Sequence, residues 1–230
     1  MKVLSVVLAS CALWALPSKA GEPAKKPAPL AACIEPVVMR TEAAQLLPGA
    51  RKTVIVPAWE DDMGLSRLTK DEVAATGLKW EQFLAAAAAT AATHLKTLKP
   101  EIERDKKGAV RYAVLRSESH LTASIILCPE FFAQFRETFG DRLVVLAPDR
   151  FTVYVFPRGF NDFQELGPEI LGEFEESIWP CSEEAFEITS DGLKCLGAFD
   201  GVRPPEKPAP PAAPAPSDKQ GNEKKSGKKK

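Results

Sequence analysis

The densest group of acidic side chains in the sequence is a run of three carboxylates, Glu60, Asp61 and Asp62, directly after Trp59. Clustered carboxylates supply the oxygen ligands that Ca²⁺ prefers, and their mutual repulsion can raise the pKa of one member. Three consecutive residues seldom converge on one ion, and the glycine and distant glutamate of a calcium-binding loop are missing here. The pattern therefore favours a solvated loop over a metal site.

A second charged pair, Asp149 and Arg150, follows Pro148 between two apolar runs. An acid beside a base at the tip of a hairpin can act as a recognition pair. Turns are also rich in such residues because their side chains stabilise the turn backbone. The candidate surface residues of the chain are therefore Trp59, Glu60, Asp61, Asp62, Asp149 and Arg150.

The remaining motifs indicate neither covalent catalysis nor cofactor binding. Neither histidine, His94 or His120, has an evident serine partner, and no GxSxG motif occurs. Cys128 and His120 form the one nearby cysteine–histidine pairing, and a short predicted strand separates them. The two common glycine-rich phosphate loops are also absent. The sequence thus predicts no catalytic residue, no cofactor and no metal ligand.

Four cysteines follow residue 20, namely Cys33, Cys128, Cys181 and Cys195. In an oxidising compartment four thiols can form two disulfides, with three connectivities that the sequence does not separate. Cys128 closes an apolar run and is equally well explained as a small buried hydrophobic residue. No CxxC pair occurs, which argues against zinc. Disulfides and buried free thiols both remain open.

The first twenty residues have the parts of a secretory leader. Lys2 is followed by an uncharged apolar stretch, residues 3–16, and by small residues that predict cleavage after Ala20. The stretch is shorter than the ~20 residues of a membrane-spanning helix. The alternative is a lipoprotein box, residues 8–11, in which Cys11 would carry the lipid. The sequence therefore predicts export to the periplasm or the medium, with lipid anchoring through Cys11 and retention of the leader as an uncleaved anchor as the alternatives.

Composition divides the rest of the chain into a folded domain and two tails. Residues 21–30 are rich in Pro, Ala and Lys, and residues 203–230 pass from a Pro/Ala-rich stretch to a lysine-rich end. Neither segment can bury enough apolar surface to offset the entropy of ordering, so both are predicted to be disordered. Residues 31–202 are predicted to form one domain.

The predicted domain is acidic and the C-terminal segment is basic. Residues 31–202 contain 18 Lys or Arg and 27 Asp or Glu, a net charge of −9, whereas residues 203–230 contain 8 and 3, a net charge of +5. The basic end can contact an anionic surface, or it can simply solvate the end of the chain. No aromatic residue interleaves with its lysines, which argues against nucleic acid as the partner.

Hydrophobic periodicity predicts alternating hairpins and helices. A capping box at Thr69 and Glu72 starts a short helix, Pro100 ends a long one, and Pro129 opens another with four phenylalanines on one face. Helices are predicted from Thr69 to Gly77 and over residues 78–98, 129–139 and 163–178. Strands are predicted over residues 37–39, 53–56, 112–115, 121–127, 143–146, 151–156, 186–189 and 193–196. This order predicts a single α+β domain with a mainly antiparallel sheet, packed by three to four helices and covered mainly on one face.

Two stretches of the sequence resemble an uncharacterised bacterial family often called YtpQ-like. The first, residues 53–95, includes TKDEVAATGLKWEQF, and the second, residues 112–196, includes LTASIILCPEFF, GDRLVVLAPDRFTVYVFP and CSEEAFEITSDGL. The resemblance lies in the order of elements and the hydrophobic spacing. The family has no established activity, so the resemblance implies no catalytic residue. The leader and the basic tail go beyond the family pattern.

Two classes of function fit these observations. The first is a non-enzymatic binding or interaction module of the envelope, with an envelope protein or polymer as its partner. The second is an envelope or extracellular hydrolase that uses acidic residues brought together by folding. The hydrolase hypothesis requires a concave pocket where two or more of Glu60, Asp61, Asp62, Glu118 and Asp149 meet. The binding hypothesis predicts an exposed apolar patch or a free edge strand.

Overall fold

The computed structural model describes residues 28–61 and 64–199. Outside the described residues lie the predicted leader with Cys11, residues 21–27 of the predicted N-terminal tail, Asp62, the side chain of Asp61 and the C-terminal segment 203–230. In the part of the chain that is described, no helix is both long and apolar enough to cross a membrane.

The described residues form four α-helices and ten strands, which confirms the predicted α+β class. The helices are α1 (Lys70–Ala75), α2 (Trp80–Leu95), α3 (Pro129–Phe139) and α4 (Phe163–Glu176). The strands are β1 (Leu30–Pro36), β2 (Gln45–Leu46), β3 (Thr53–Asp61), β4 (Gly64–Arg67), β5 (Glu101–Arg104), β6 (Val110–Arg116), β7 (Leu143–Leu146), β8 (Thr152–Pro157), β9 (Glu184–Thr189) and β10 (Gly192–Ala198). Two short 3₁₀ helices span Val37–Met39 and Ala123–Leu127.

These strands form two antiparallel sheets. In the small sheet, β1 pairs with one edge of β3 along its length, while β2 and β4 share the other edge. The large sheet has the strand order β10-β9-β7-β8-β6-β5. The predicted hairpin partners pair as expected, β7 with β8 and β9 with β10.

Apolar side chains cover both faces of the large sheet. On one face α2, α3 and the small sheet enclose the main core, to which α3 contributes its four phenylalanines. On the other face Phe163 and Ile170 of α4 pack against Val144 and Phe156. The prediction of a sheet covered mainly on one side is therefore wrong, because the alternate residues of β7 and β8 are apolar on both faces and α4 buries the second set.

Local signals placed the helix boundaries well. The Thr69 and Glu72 side chains form the predicted capping box, with Thr69 N donating to Glu72 Oε2 at 2.8 Å. Gly77 ends this segment with a φ of 68°, a conformation that glycine adopts without strain. The alanines Ala87 and Ala91 let α2 lie close over β1, since both are buried in the main core.

Two predicted strands are 3₁₀ helices instead. Val37–Met39 turns the chain directly after β1. Ala123–Leu127 is buried between α2, α3 and β1, and Ser124 Oγ donates to the Ala32 carbonyl. A short apolar run has the same composition in a buried strand and a buried helix, so periodicity does not separate them.

The acidic run predicted as a loop lies mostly in a strand. Trp59 and Glu60 continue β3, and β4 returns from Gly64, so the two strands form a hairpin. Four strands, β1, β2, β4 and β5, were not predicted. The whole of β5 is exposed and most of its residues are charged, so it has no apolar alternation to reveal it.

Candidate functional site

The acidic hairpin packs closely against a histidine. Trp59 is half-buried against the main core, and burial raises the pKa of the Glu60 carboxyl above its usual value. At the start of β4, Gly64 has a φ of 116°, and a Cβ there would lie 2.7 Å from Cδ2 of His120. The glycine therefore allows the β3–β4 hairpin to close over the His120 ring.

Asp149 and Arg150, which the sequence predicts as a recognition pair, have different roles in the structure. Asp149 serves the turn, because its Oδ1 accepts a hydrogen bond of 2.9 Å from Phe151 N and its backbone bridges to Pro180. Arg150 is only 4% exposed. It is therefore not a surface residue, and it takes part in a buried contact instead of external recognition.

Arg150 belongs to a buried ionic cluster centred on Glu35 of β1. Glu35 is 1% exposed, and its Oε1 accepts hydrogen bonds from Arg150 Nη2 and, at 2.9 Å, from Arg67 Nε. The Arg150 guanidinium also lies over the Trp179 ring, 4.4 Å from its centroid. The cluster joins the small sheet to the loop between β7 and β8.

Sequence reasoning missed Glu35 and Arg67, although one signal was present. Every second residue of β1, Ala31, Cys33 and Glu35, faces the same side, and Glu35 is the charged member of an apolar row. A buried carboxylate needs a cation. Nothing near Glu35 in the sequence identifies Arg150, because 115 positions separate the two residues.

Both histidines are held in surroundings that disfavour their charged form. The His120 ring packs on Phe151 and Trp179, and burial together with the nearby Arg150 charge lowers the pKa of His120. Burial also lowers the pKa of His94. Thr122 Oγ1 uses its proton in a hydrogen bond to the Ser119 carbonyl. In its 3.2 Å contact with His94 Nε2, Thr122 Oγ1 is therefore the acceptor and the histidine nitrogen is the donor.

These shifts predict a loss of stability in mild acid. A histidine whose pKa falls on folding contributes stability above the unfolded pKa of about 6.5, and this contribution is lost as pH falls toward the folded pKa. Urea unfolding midpoints of H120Q should therefore fall less than those of the wild type between about pH 7.5 and about pH 5.5. Equal pH slopes for the two proteins would contradict the prediction. The raised pKa values of Glu60 and Glu173 act in both proteins and cancel in the comparison.

A third polar cluster lies beneath α4. Glu173 Oε1 accepts hydrogen bonds of 2.9 Å from both Arg116 Nη1 and the buried Tyr154 hydroxyl. Burial is the main cause that raises the pKa of Glu173, and the negative charge of Asp149 adds to it. Glu173 therefore joins α4 to the large sheet.

All four described cysteines are buried free thiols, the second of the two alternatives left open by the sequence. Burial raises the pKa of Cys33 to about 12 and that of Cys195 to about 11, and it also raises the pKa of Cys128 and Cys181. The thiolate is the nucleophilic form of cysteine. These thiols are therefore poorly suited to nucleophilic chemistry at neutral pH.

The three acidic candidates whose side chains the structure describes, Glu60, Glu118 and Asp149, do not meet in either of two surface clefts. Glu118 is exposed, Asp149 stabilises its own turn, and Glu60 lies at the end of β3. None of the three lines either cleft. Within residues 28–61 and 64–199, no group of three or more His, Cys, Asp or Glu side chains is placed to hold a metal ion.

The first cleft is an apolar groove that we call the Trp80 groove. Its volume is about 330 Å³, and it lies where α2 meets the small sheet and β10. The Trp80 ring is half-buried and stacks on Phe83, with ring centroids 6.2 Å apart. Gln45 is the single polar side chain among its lining residues, which are Gln45, Leu46, Leu47, Pro48, Ile55, Trp80, Leu84, Leu127 and Leu193.

The second cleft, which we call the Val38 cleft, lies on another part of the surface and has a volume of about 340 Å³. Pro36, Val37 and Val38 form one wall, and Phe174 of α4 contributes an aromatic side chain to the lining. The segment 181–183 and Lys52 complete it, and Lys52 forms an ion pair with Glu183.

Comparisons with known proteins assign no relative to this chain. No family model matches the sequence, and neither a curated protein nor a solved structure matches it.

Proposed function

We propose that the protein is an exported, non-enzymatic binding module of the bacterial envelope, and that the Trp80 groove holds an apolar part of its partner. The leader-like residues 1–20 support export. The groove is the single observation that carries the binding function, because it is an open, apolar concavity with an aromatic residue in its lining.

The size and lining of the groove suit a binding site. Ligand pockets typically measure about 300–1,000 Å³ and are lined by apolar and aromatic side chains with few polar groups. Leu46 is 55% exposed at this surface, and Leu78, two residues before Trp80, is 37% exposed. Tryptophan is among the residues that contribute most to binding energy at protein interfaces. The groove therefore offers an anchor for a partner with one or more apolar side chains.

Substituting Leu46 tests this function without disturbing the core. The variant L46D places a charge in the groove, and its side chain starts from an exposed position on a two-residue strand. The matched control is I102D, because Ile102 is an exposed aliphatic residue of β5 that does not line the groove. Both variants should keep the free energy of unfolding of the wild type, measured in urea, to within about 0.5 kcal/mol, as surface substitutions usually do.

The measurement is capture of partners by the mature chain from the envelope of its own source. The wild type and I102D should retain the same envelope component, and L46D should retain at least about tenfold less of it, which corresponds to about 1.4 kcal/mol. A component held equally by all three proteins would show that the groove is not the binding surface. A turnover product released from envelope polymer by the purified protein would instead favour the hydrolase.

A further inference from the structure

The described part of the chain ends beside the Val38 cleft. β10 pairs with β9 up to Ala198, which lies opposite Glu184. Phe199 N then donates a hydrogen bond of 2.8 Å to the Glu183 carbonyl. In an antiparallel pair each step forward along one strand is a step back along the other. At its last described residue the chain is therefore heading along the segment 181–183, and all three residues of that segment line the cleft.

The lining of the cleft leaves apolar surface open to solvent. Val38 is 88% exposed on the 3₁₀ turn after β1, the largest exposed fraction among the large apolar side chains of the described residues. Pro36 and Val37 extend this apolar wall, and Phe174 of α4 adds an aromatic side chain to the lining. Proline-rich segments bind apolar grooves with aromatic linings, because their extended helix is already formed and loses little entropy on binding.

The sequence that follows the described part has the composition of such a ligand. Residues 203–216, RPPEKPAPPAAPAP, contain seven prolines and begin four positions after Phe199. Four extended residues span at most about 14 Å. In polyproline II geometry residues 203–216 would cover about 43 Å, at about 3.1 Å per residue. The segment is therefore long enough to cross a cleft that begins beside its point of attachment. Its composition predicts disorder when it stands alone, so the cleft must supply the apolar surface that the segment lacks.

Two carboxylates without an ion pair favour a basic occupant. Glu175 and Glu176 follow Phe174 at the C-terminal end of α4, and both are exposed. Within the part of the chain that the structure describes, neither carboxylate forms an ion pair, whereas Lys52 and Glu183 pair with each other. A helix C-terminus carries partial negative charge, so carboxylates are unfavourable there unless a cation approaches. The last turn of α4 contains no basic residue. The free charge at this end of the cleft is therefore negative.

We propose that residues 203–216 fold back into the Val38 cleft of their own chain, with Arg203 and Lys207 facing the carboxylates at the end of α4. The C-terminal segment 203–230 has a net charge of +5 and the domain before it a net charge of −9, so the two attract each other. Attachment at Phe199 gives the segment a local concentration on the order of 1 mM, so a contact with a dissociation constant below that value stays mostly occupied. The contact is distinct from the Trp80 groove and does not depend on the proposed envelope function.

Amide order parameters of the full mature chain, measured by ¹⁵N relaxation, test the contact. In the wild type the amides of Ala209 and Ala212 should have order parameters above about 0.6, the value below which a backbone is flexible. V38E places a charge in the cleft at an exposed position, so it should lower both values below about 0.6 without unfolding the domain. The control I102E on β5 should behave as the wild type. Flexible alanines in the wild type, or unchanged values in V38E, would overturn the proposal.

Charge variants and dilution identify the occupant. E175Q/E176Q should lower the same order parameters, whereas the control E101Q/E103Q, which removes two exposed carboxylates of β5, should leave them unchanged. Salt at about 1 M should also lower them in the wild type, because it screens charges beyond about 3 Å. Equal values in the two double variants would contradict the role of the α4 carboxylates. A contact within one chain does not depend on concentration. Order parameters that rise between about 0.05 and about 1 mM protein would show that the segment enters a second copy, and would overturn the proposal.

Discussion

Replacing Arg150 with methionine is expected to lower the free energy of unfolding by about 3–5 kcal/mol, because it leaves the Glu35 carboxylate buried without its closest cation. Glu35 is 1% exposed, and Arg150 contacts it through Nη2. Arg67 still reaches the same oxygen at 2.9 Å, but its side chain is one-third exposed and only partly compensates. Urea unfolding followed by circular dichroism measures the loss.

Two further variants show whether the loss comes from the unpaired charge. R67M should cost roughly 1 kcal/mol, since a partly exposed ion pair contributes little. The double variant E35M/R150M should recover most of the loss of R150M, because apolar side chains often replace a buried ion pair at little cost. A double variant as unstable as R150M alone would mean that Arg150 acts through packing on Trp179 and not through its charge.

The variant F163A is expected to destabilise the domain by about 3–5 kcal/mol, as is usual for a phenylalanine lost from a packed core. Phe163 is fully buried at the start of α4, and its ring lies 4.8 Å from Phe156, 4.7 Å from Phe160 and 5.5 Å from Phe199 between centroids. These contacts attach α4 to the second face of the large sheet. Thermal or urea unfolding reports the loss.

The control for F163A is F163L, which keeps most of the apolar volume and should cost less than about 1.5 kcal/mol. If the two variants lose the same stability, the edge-to-face contacts of the ring matter more than the filled volume. If F163A loses less than about 1 kcal/mol, α4 does not depend on this cluster for its attachment.

Local signals predicted the elements that carry their own boundary markers. Thr69 and Glu72 form a capping box, Pro129 opens α3, and turn residues separate β7 from β8 and β9 from β10. β5 escaped prediction because its pairing depends on β6 and not on apolar alternation. Of the run 121–127, residues 123–127 form a 3₁₀ helix that the surrounding helices and β1 bury on several sides.

The site was harder to predict than the fold because its parts come from distant positions. Arg150 resembled a turn residue as long as its partner Glu35 was unknown, and only the folded chain brings the two together. The Trp80 groove combines residues of α2, β2, β3 and β10, and each of them alone is an ordinary apolar side chain. A concave surface is a property of several elements at once, so no single stretch of sequence reveals it.

The contacts that complete the small sheet have a consequence for the order of events during synthesis. Of the described strands, β1 is synthesised first. The hydrogen bond between Glu35 and Arg150 can form only 115 residues later, and the one between Thr53 and Glu184 only 131 residues later. Native topology of such high contact order closes slowly, since long loops must be fixed before their contacts form. We therefore expect the small sheet to lack these two contacts until β9 has been synthesised.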